Sequence, residues 1–209
     1  RNEISDHTFS YSLGAGGVAT GSINVITLNM NRLVQQNRNL SEEVRKIHRY
    51  QVAFRKLIEE YKAGGLLPVY DAGFISLDKQ FLTIGINGMV EAAEYLGIAP
   101  TNNEQYKDFV RHHLKIIYEE NRKAREVYGY MFNTEFVPAE NLGVKNALWD
   151  KKDGLFSPRE CYNSYFYAVE DTQVNALDKI ILHGKEIIQY LDGGSALHLN
   201  LEETPNKEG

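Results

Sequence analysis

A single cysteine, Cys161, occurs in 209 residues. That excludes an internal disulfide framework and any cysteine-rich zinc site, and it suits a reducing compartment, so a cytoplasmic location is expected. No apolar run is long enough to span a bilayer, and there is no signal-peptide pattern. The 23 Lys and Arg residues form no block of five, and the net charge is −5. Neither a nucleic-acid partner nor a membrane surface is therefore expected. No serine sits in a G-x-S-x-G elbow. The six histidines have no metal-site spacing, and the adjacent His112 and His113 face different directions on a helix, so no metal site is expected. An initiator Met is also missing. The opening "RNEISDHTF" reads as the start of a piece cut from a longer polypeptide.

What is present is ordinary soluble composition, 43% apolar and 24% charged, which does not suit disorder. Strand and helix signals alternate. The β-branched run Ile23 to Leu28 reads as a buried strand. Leu40, Val44, Ile47, Gln51, Phe54, Ile58 and Tyr61, with Tyr50 and Leu57, give a long amphipathic helix begun by Asn39 or Ser41 and stopped at Gly64-Gly65. A second strand, Phe81 to Ile86, turns at Asn87-Gly88 into a short helix, Met89 to Leu96. Asn103 caps a third helix carrying Tyr106, Phe109, Val110, His113, Ile117 and Ala124, with Gly129 beyond it. Tyr130 to Val137 is a third strand, followed by a helix from Pro138 to about Trp149. Asp150 to Pro158 is turn-rich and leads to the aromatic run Tyr162 to Tyr167. Asn175 to Tyr190 is helical with a break at Gly184, and after Gly193-Gly194 a last strand alternates Leu197, Leu199 and Leu201 with His198 and Asn200. Strands separated by helices predict a parallel α/β layer or barrel, with functional groups at the strand-to-helix junctions.

Two stretches carry possible chemistry. SLGAGGVATGSIN (Ser12 to Asn24) has glycines at 14, 16, 17 and 21 like a phosphate loop. It precedes a strand instead of following one, and it lacks a Walker lysine, so a glycine-rich passage through a crowded interior fits better. FVPAEN (Phe136 to Asn141) places a proline at a helix start. The amides near Ala139, Glu140, Asn141 and Leu142 would then point outward unpaired, the makings of an anion seat. Plain helix-start chemistry, with Glu140 favourable against the dipole, explains the same residues equally well. The carboxylates Glu135 and Glu140 are not specific as a pair.

The segments GVATGSINVITLNMNRL, GINGMVEAAEYLGI, FVPAENLGVKNALWDKKDG, CYNSYFY and LDGGSALHLNL resemble, in that order, the catalytic barrel of anaerobic (class III) ribonucleoside-triphosphate reductases. The resemblance runs from about Gly17 to Leu201. It implies part of a ten-stranded α/β barrel of the glycyl-radical type, residues 1–209 being its C-terminal half. In that family a glycyl radical oxidises a fingertip cysteine, the thiyl takes the ribose 3′-hydrogen, and the 2′-hydroxyl leaves as water. Formate or a thiol partner supplies the electrons. The glycine-rich stretch becomes the returning arm of the finger. Either Ser22 or Asn24 on that arm would orient the radical cysteine and the ribose hydroxyls. Ala139, Glu140, Asn141 and Leu142 would seat the substrate phosphates.

The same resemblance places the thiyl cysteine at or before the first residues and Cys161 at a different position, beside Asn163 and Ser164; the aromatic neighbours of Cys161 suit burial and a structural role. The resemblance puts the ATP cone upstream of Arg1 and the zinc cysteines and radical loop beyond Gly209. No cofactor is then expected on the fragment itself, and the fragment alone should be inactive. Glycyl radical, structural zinc and ATP or deoxynucleotide effectors would belong to the full-length enzyme. Its implied partners are a ribonucleoside triphosphate, a radical-SAM activating enzyme, the rest of its own chain and a second copy in a homodimer. Two other readings stand beside this one: another glycyl-radical enzyme with a non-nucleotide substrate, and a non-catalytic α/β binding module.

Overall fold

The computed structural model describes residues 21–136, 139–168 and 174–199. Among these, four strands, β1 (Gly21–Asn29), β2 (Gln80–Asn87), β3 (Met131–Phe136) and β4 (Gly194–Ser195), form one parallel sheet in the order β1-β2-β3-β4. Between β1 and β2 run α1 (Met30–Gln35), α2 (Leu40–Ala63) and α3 (Pro68–Asp71). Helices α4 (Met89–Tyr95) and α5 (Glu104–Tyr128) lead to β3, and α6 (Glu140–Lys152), α7 (Ala176–Leu182) and α8 (Lys185–Ile188) lead to β4.

The helix boundaries follow local chemistry. Asn39 Oδ1 accepts the Glu42 amide at 3.3 Å and starts α2, with Glu42 and Glu43 in its first turn and Lys62 in its last. Asn103 Oδ1 accepts the Tyr106 amide at 2.8 Å and starts α5, which Gly129 ends in the left-handed conformation that glycine adopts without strain. Helices α2 and α5 pack together on one face of the sheet. There Ile84 and Ile86 of β2 and Phe136 of β3 join the core with Val44, Ile47, Val110, Leu114 and Ile117, while Leu82 and Phe132 form a smaller cluster with Val52 and Ala124.

The opposite face is polar although buried. Thr83 Oγ1 donates to Asn133 Oδ1 at 2.6 Å, and Ser22 Oγ meets Thr83 Oγ1 at 2.5 Å, so one row of hydrogen bonds crosses three strands. Gly85 faces Thr27 on the next strand, where an added Cβ would come 2.5 Å from Thr27 Oγ1.

Four expectations change. On α2 the expected inward residues Leu40, Val44, Ile47 and Gln51 are buried, but Tyr50, Phe54, Leu57 and Tyr61 are solvent-exposed, and His48, Val52 and Arg55 turn inward in their place. Helix α6 starts at Glu140 and continues to Lys152, so Asp150 is a buried helical residue, not part of a turn. The last strand is only two residues long, and Leu197 is exposed; Leu201 lies outside the described residues, as do Val137 and Pro138. Crowding by the described residues does not explain Gly21, where an added Cβ would meet none of them within 4 Å; its φ of 143° does. Gly14, Gly16 and Gly17 lie outside the described residues.

Candidate active site

Strands β1, β2 and β3 end at Asn29, Asn87 and Phe136, and each meets the start of a helix. Ligands in parallel α/β folds gather at this carboxyl edge. The side chains here are joined by an unusually polar set of contacts.

Helix α6 lacks the apolar stripe of an ordinary packed helix. Its inward residues are Gly143, Asn146, Ala147 and Asp150, at spacings of three and four. Val144, Leu148 and Trp149 are exposed. Asp150 is fully buried and accepts from four groups: Asn29 Nδ2 (3.1 Å to each oxygen), Asn31 Nδ2 (3.0 Å), Arg32 Nε (2.7 Å) and the Tyr162 hydroxyl (2.9 Å). A buried carboxylate needs this kind of satisfaction. Burial, reinforced by Asp150, pushes the Tyr162 hydroxyl well above its ordinary range, so it stays a donor. Four residues earlier, about one turn back, Asn146 Nδ2 donates to Asn87 Oδ1 at 2.8 Å. Gly143 lies against the chain at Cys161-Tyr162, where an added Cβ would come 2.7 Å from the Tyr162 carbonyl oxygen and 2.9 Å from Cys161 Sγ.

That neighbouring chain, Cys161 to Ser164, is a strap across the ends of β2 and α4. Asn87 Nδ2 donates to the Asn163 carbonyl (3.1 Å) and to the Ser164 hydroxyl oxygen (3.4 Å). The Asn163 carbonyl also accepts the Gly88 amide at 3.0 Å. Glu91, fully buried, accepts from the Asn163 amide (3.0 Å) and its side-chain Nδ2 (2.8 Å), and from Arg159 at 2.6 Å. Burial works against the Arg159 charge, but Glu94 and Glu91 outweigh it and hold the guanidinium more firmly protonated than usual. Cys161 is half-buried, its thiol 3.8 Å from the Tyr162 carbonyl oxygen.

The residues expected to act are placed as follows. Ala139 is the N-cap residue of α6 and has no side-chain cap of its own. Its amide donates to Ser164 Oγ at 3.1 Å, so one of the four candidate amides already has a partner inside the protein. Glu140, Asn141 and Leu142 form the first turn of α6; Asn141 is exposed and Leu142 half-buried. The side chain of Glu140 lies outside the described set, whereas Glu135 is buried on β3, paired with Gly85 and Gly194 on either side.

Ser22 and Asn24 are separated by a β-bulge. Ser22 stays on the polar face beside Thr83. Asn24 pairs with Leu82, whose side chain belongs to the helix-side cluster, so the two residues face opposite sides of the sheet. Because Thr83 gives its proton to Asn133, Ser22 must donate to Thr83, and the Ser22 oxygen is left with acceptor capacity.

Sequence reasoning missed Asn87, Glu91, Asn146, Asp150 and Arg159. Asn87 read only as a turn residue, and its partners lie 59 to 77 residues away. Among the described residues no group of three His, Cys, Asp or Glu could hold a metal, and no helix is long and apolar enough to cross a membrane.

The family model for anaerobic ribonucleoside-triphosphate reductase matches residues 1–209. Solved structures of the anaerobic ribonucleotide reductase from Thermotoga maritima are similar at 31% identity. The one in complex with dATP and CTP has a TM-score of 0.84 over 92% of this chain and 34% of its own. The one with glycerol in the active site scores 0.86 over 94% and 34%, and the one with dATP in the specificity site 0.82 over 90% and 34%. The chain thus spans about a third of the length of those structures. A search of curated proteins found no match.

Proposed function

This chain belongs to the anaerobic ribonucleoside-triphosphate reductase family, and we propose that it supplies the C-terminal half of the catalytic barrel of such a reductase. The reaction is the reduction of a ribonucleoside triphosphate to the deoxyribonucleoside triphosphate. The glycyl radical, structural zinc, nucleotide effectors and activating enzyme are assigned to parts of the system other than these residues. In the full-length enzyme the glycyl radical would generate the cysteine thiyl that takes the ribose hydrogen; the residues of this chain bind and orient.

The observation that carries the reading is the start of α6. It sits at the carboxyl edge of a parallel sheet and has no side-chain cap. The amides of residues 140–142 then offer an anion site, with the helix dipole favouring negative charge. No lysine is required, which accounts for the missing Walker motif. Ser22 is the better placed of the two expected polar residues. It lies on the polar face, and its free acceptor capacity suits a ribose hydroxyl. The bulge turns Asn24 to the helix side, which favours Ser22 of the two.

The test is affinity for a ribonucleoside triphosphate and for the corresponding nucleoside, measured on the full-length enzyme. Proline fits the first helical position without strain, so Glu140→Pro removes one seat amide while keeping α6. It should weaken triphosphate binding about tenfold, from loss of roughly 1.4 kcal/mol, with nucleoside binding unchanged. Glu140→Gln controls for the carboxylate and should bind triphosphate as well as wild type or slightly better. Equal triphosphate affinity in Glu140→Pro and wild type would overturn the phosphate seat.

A further inference from the structure

We propose that Ser164 and Asn87 are positioning residues that set the α6 amides for the substrate's phosphates. The proposal rests on the phosphate seat described above. It begins from what α6 lacks. No side chain of its own N-cap residue holds its start, and no apolar stripe anchors its inward face. Nondirectional burial therefore cannot fix the helix along or about its axis to the fraction of an ångström that hydrogen-bonding to a phosphate needs.

Directional bonds do so instead. Ser164 Oγ, 25 residues downstream, accepts the Ala139 amide at 3.1 Å and stands in for the absent cap. Ser164 is itself buried and is held by Asn87 Nδ2 at 3.4 Å. The same Asn87 side chain accepts Asn146 Nδ2 at 2.8 Å, from the second turn of α6. One carboxamide at the end of β2 thus grips the helix at two heights, directly and through Ser164. Behind it, Glu91 clamps Asn163 at both its backbone and side-chain nitrogens, so the strap is fixed to α4. The consequence is a division of labour within the helix start: the Ala139 amide locates the helix, and the following amides are left to the ligand.

The experiment is steady-state kinetics of the activated full-length reductase with a ribonucleoside triphosphate. Ser164→Ala should raise KM roughly threefold to tenfold, the effect of one lost hydrogen bond transmitted to the seat, with kcat within about twofold of wild type. Ser164→Thr keeps the hydroxyl and should restore KM. A merely structural role would lower the thermal midpoint in Ser164→Ala without the split between KM and kcat. If Ser164→Ala does not fold, Ser164→Cys, a weaker acceptor of similar size, should give an intermediate KM. Unchanged KM in Ser164→Ala or Ser164→Cys, with KM raised in Glu140→Pro, overturns the positioning role and leaves the phosphate seat standing. Unchanged KM in both Ser164→Ala and Glu140→Pro removes the seat itself, and the positioning role with it.

Discussion

Helices α5 and α6 are held by opposite means. Helix α5 buries Tyr106, Phe109, Val110, Leu114, Ile117 and Ala124 against the sheet and α2. Helix α6 turns Gly143, Asn146, Ala147 and Asp150 inward and leaves Val144, Leu148 and Trp149 in solvent. Apolar burial is strong but tolerant of small shifts, whereas hydrogen bonds fix distance and direction. The scaffold helix gains stability, and the helix proposed to meet substrate gains a defined position. Buried polar contacts of this kind contribute little net stability and much specificity when every group is satisfied.

The comparison can be broken most severely in α5. Leu114→Ala, at a fully buried position, should cost roughly 2–5 kcal/mol of stability. The thermal midpoint of the full-length protein should fall clearly while KM of the surviving enzyme stays near wild type. A changed KM at full stability would mean that α5 also positions the site.

Next in size is Gly143→Ala. The new Cβ would meet the Tyr162 carbonyl oxygen at 2.7 Å, a backbone atom that cannot swing aside. Helix and strap must part, at roughly 1–3 kcal/mol, and triphosphate affinity should fall together with stability. Wild-type affinity in this variant would show that the α6–strap spacing does not set the seat.

Asn146→Ala should cost only about 1 kcal/mol, the scale of one buried hydrogen bond. Its effect on KM should be the larger fraction of its total effect, the reverse of Leu114→Ala. A loss of stability with no change in KM would make Asn146 an ordinary core residue.

The smallest effect concerns pH and belongs to the scaffold. His48, buried between α2 and α5 with Nε2 2.8 Å from Asn121 Oδ1, has its pKa lowered below 6.5, chiefly by burial. The unfolded chain then takes up the proton first as pH falls. The stability contributed by neutral His48 is therefore complete above about pH 6.5 and is lost below it. His48→Gln should make the acid limb of a stability-versus-pH curve shallower and leave KM untouched. An unchanged acid limb would remove His48 from the pH dependence.

The same contrast explains what was legible in the sequence. Helix α5 announces itself through its cap Asn103, its apolar period and Gly129, and those signals are local. For α6 the Pro-Ala-Glu-Asn junction marks the start, but no local signal marks its end at Lys152. Trp149-Asp150-Lys151-Lys152-Asp153-Gly154 looks like a polar turn because its inward residue is an aspartate, and the partners that bury Asp150 are Asn29, Asn31 and Arg32, far away in the chain. Hydropathy also misled at Tyr50, Phe54, Leu57 and Tyr61, whose spacing suits a core face but whose side chains are exposed. The faces of Ser22 and Asn24 could not be separated from alternation alone, since the bulge between them resets the period of two. Asn87 gave no signal beyond a turn, because its importance lies entirely in distant partners.

The most direct measurement is a structure of the full-length enzyme with a ribonucleoside triphosphate bound. Phosphate oxygens should lie within about 3.2 Å of the backbone nitrogens at residues 140–142, while the Ala139 amide remains on Ser164. A triphosphate held elsewhere, or one that displaces Ser164 from the Ala139 amide, would contradict the seat and its positioning.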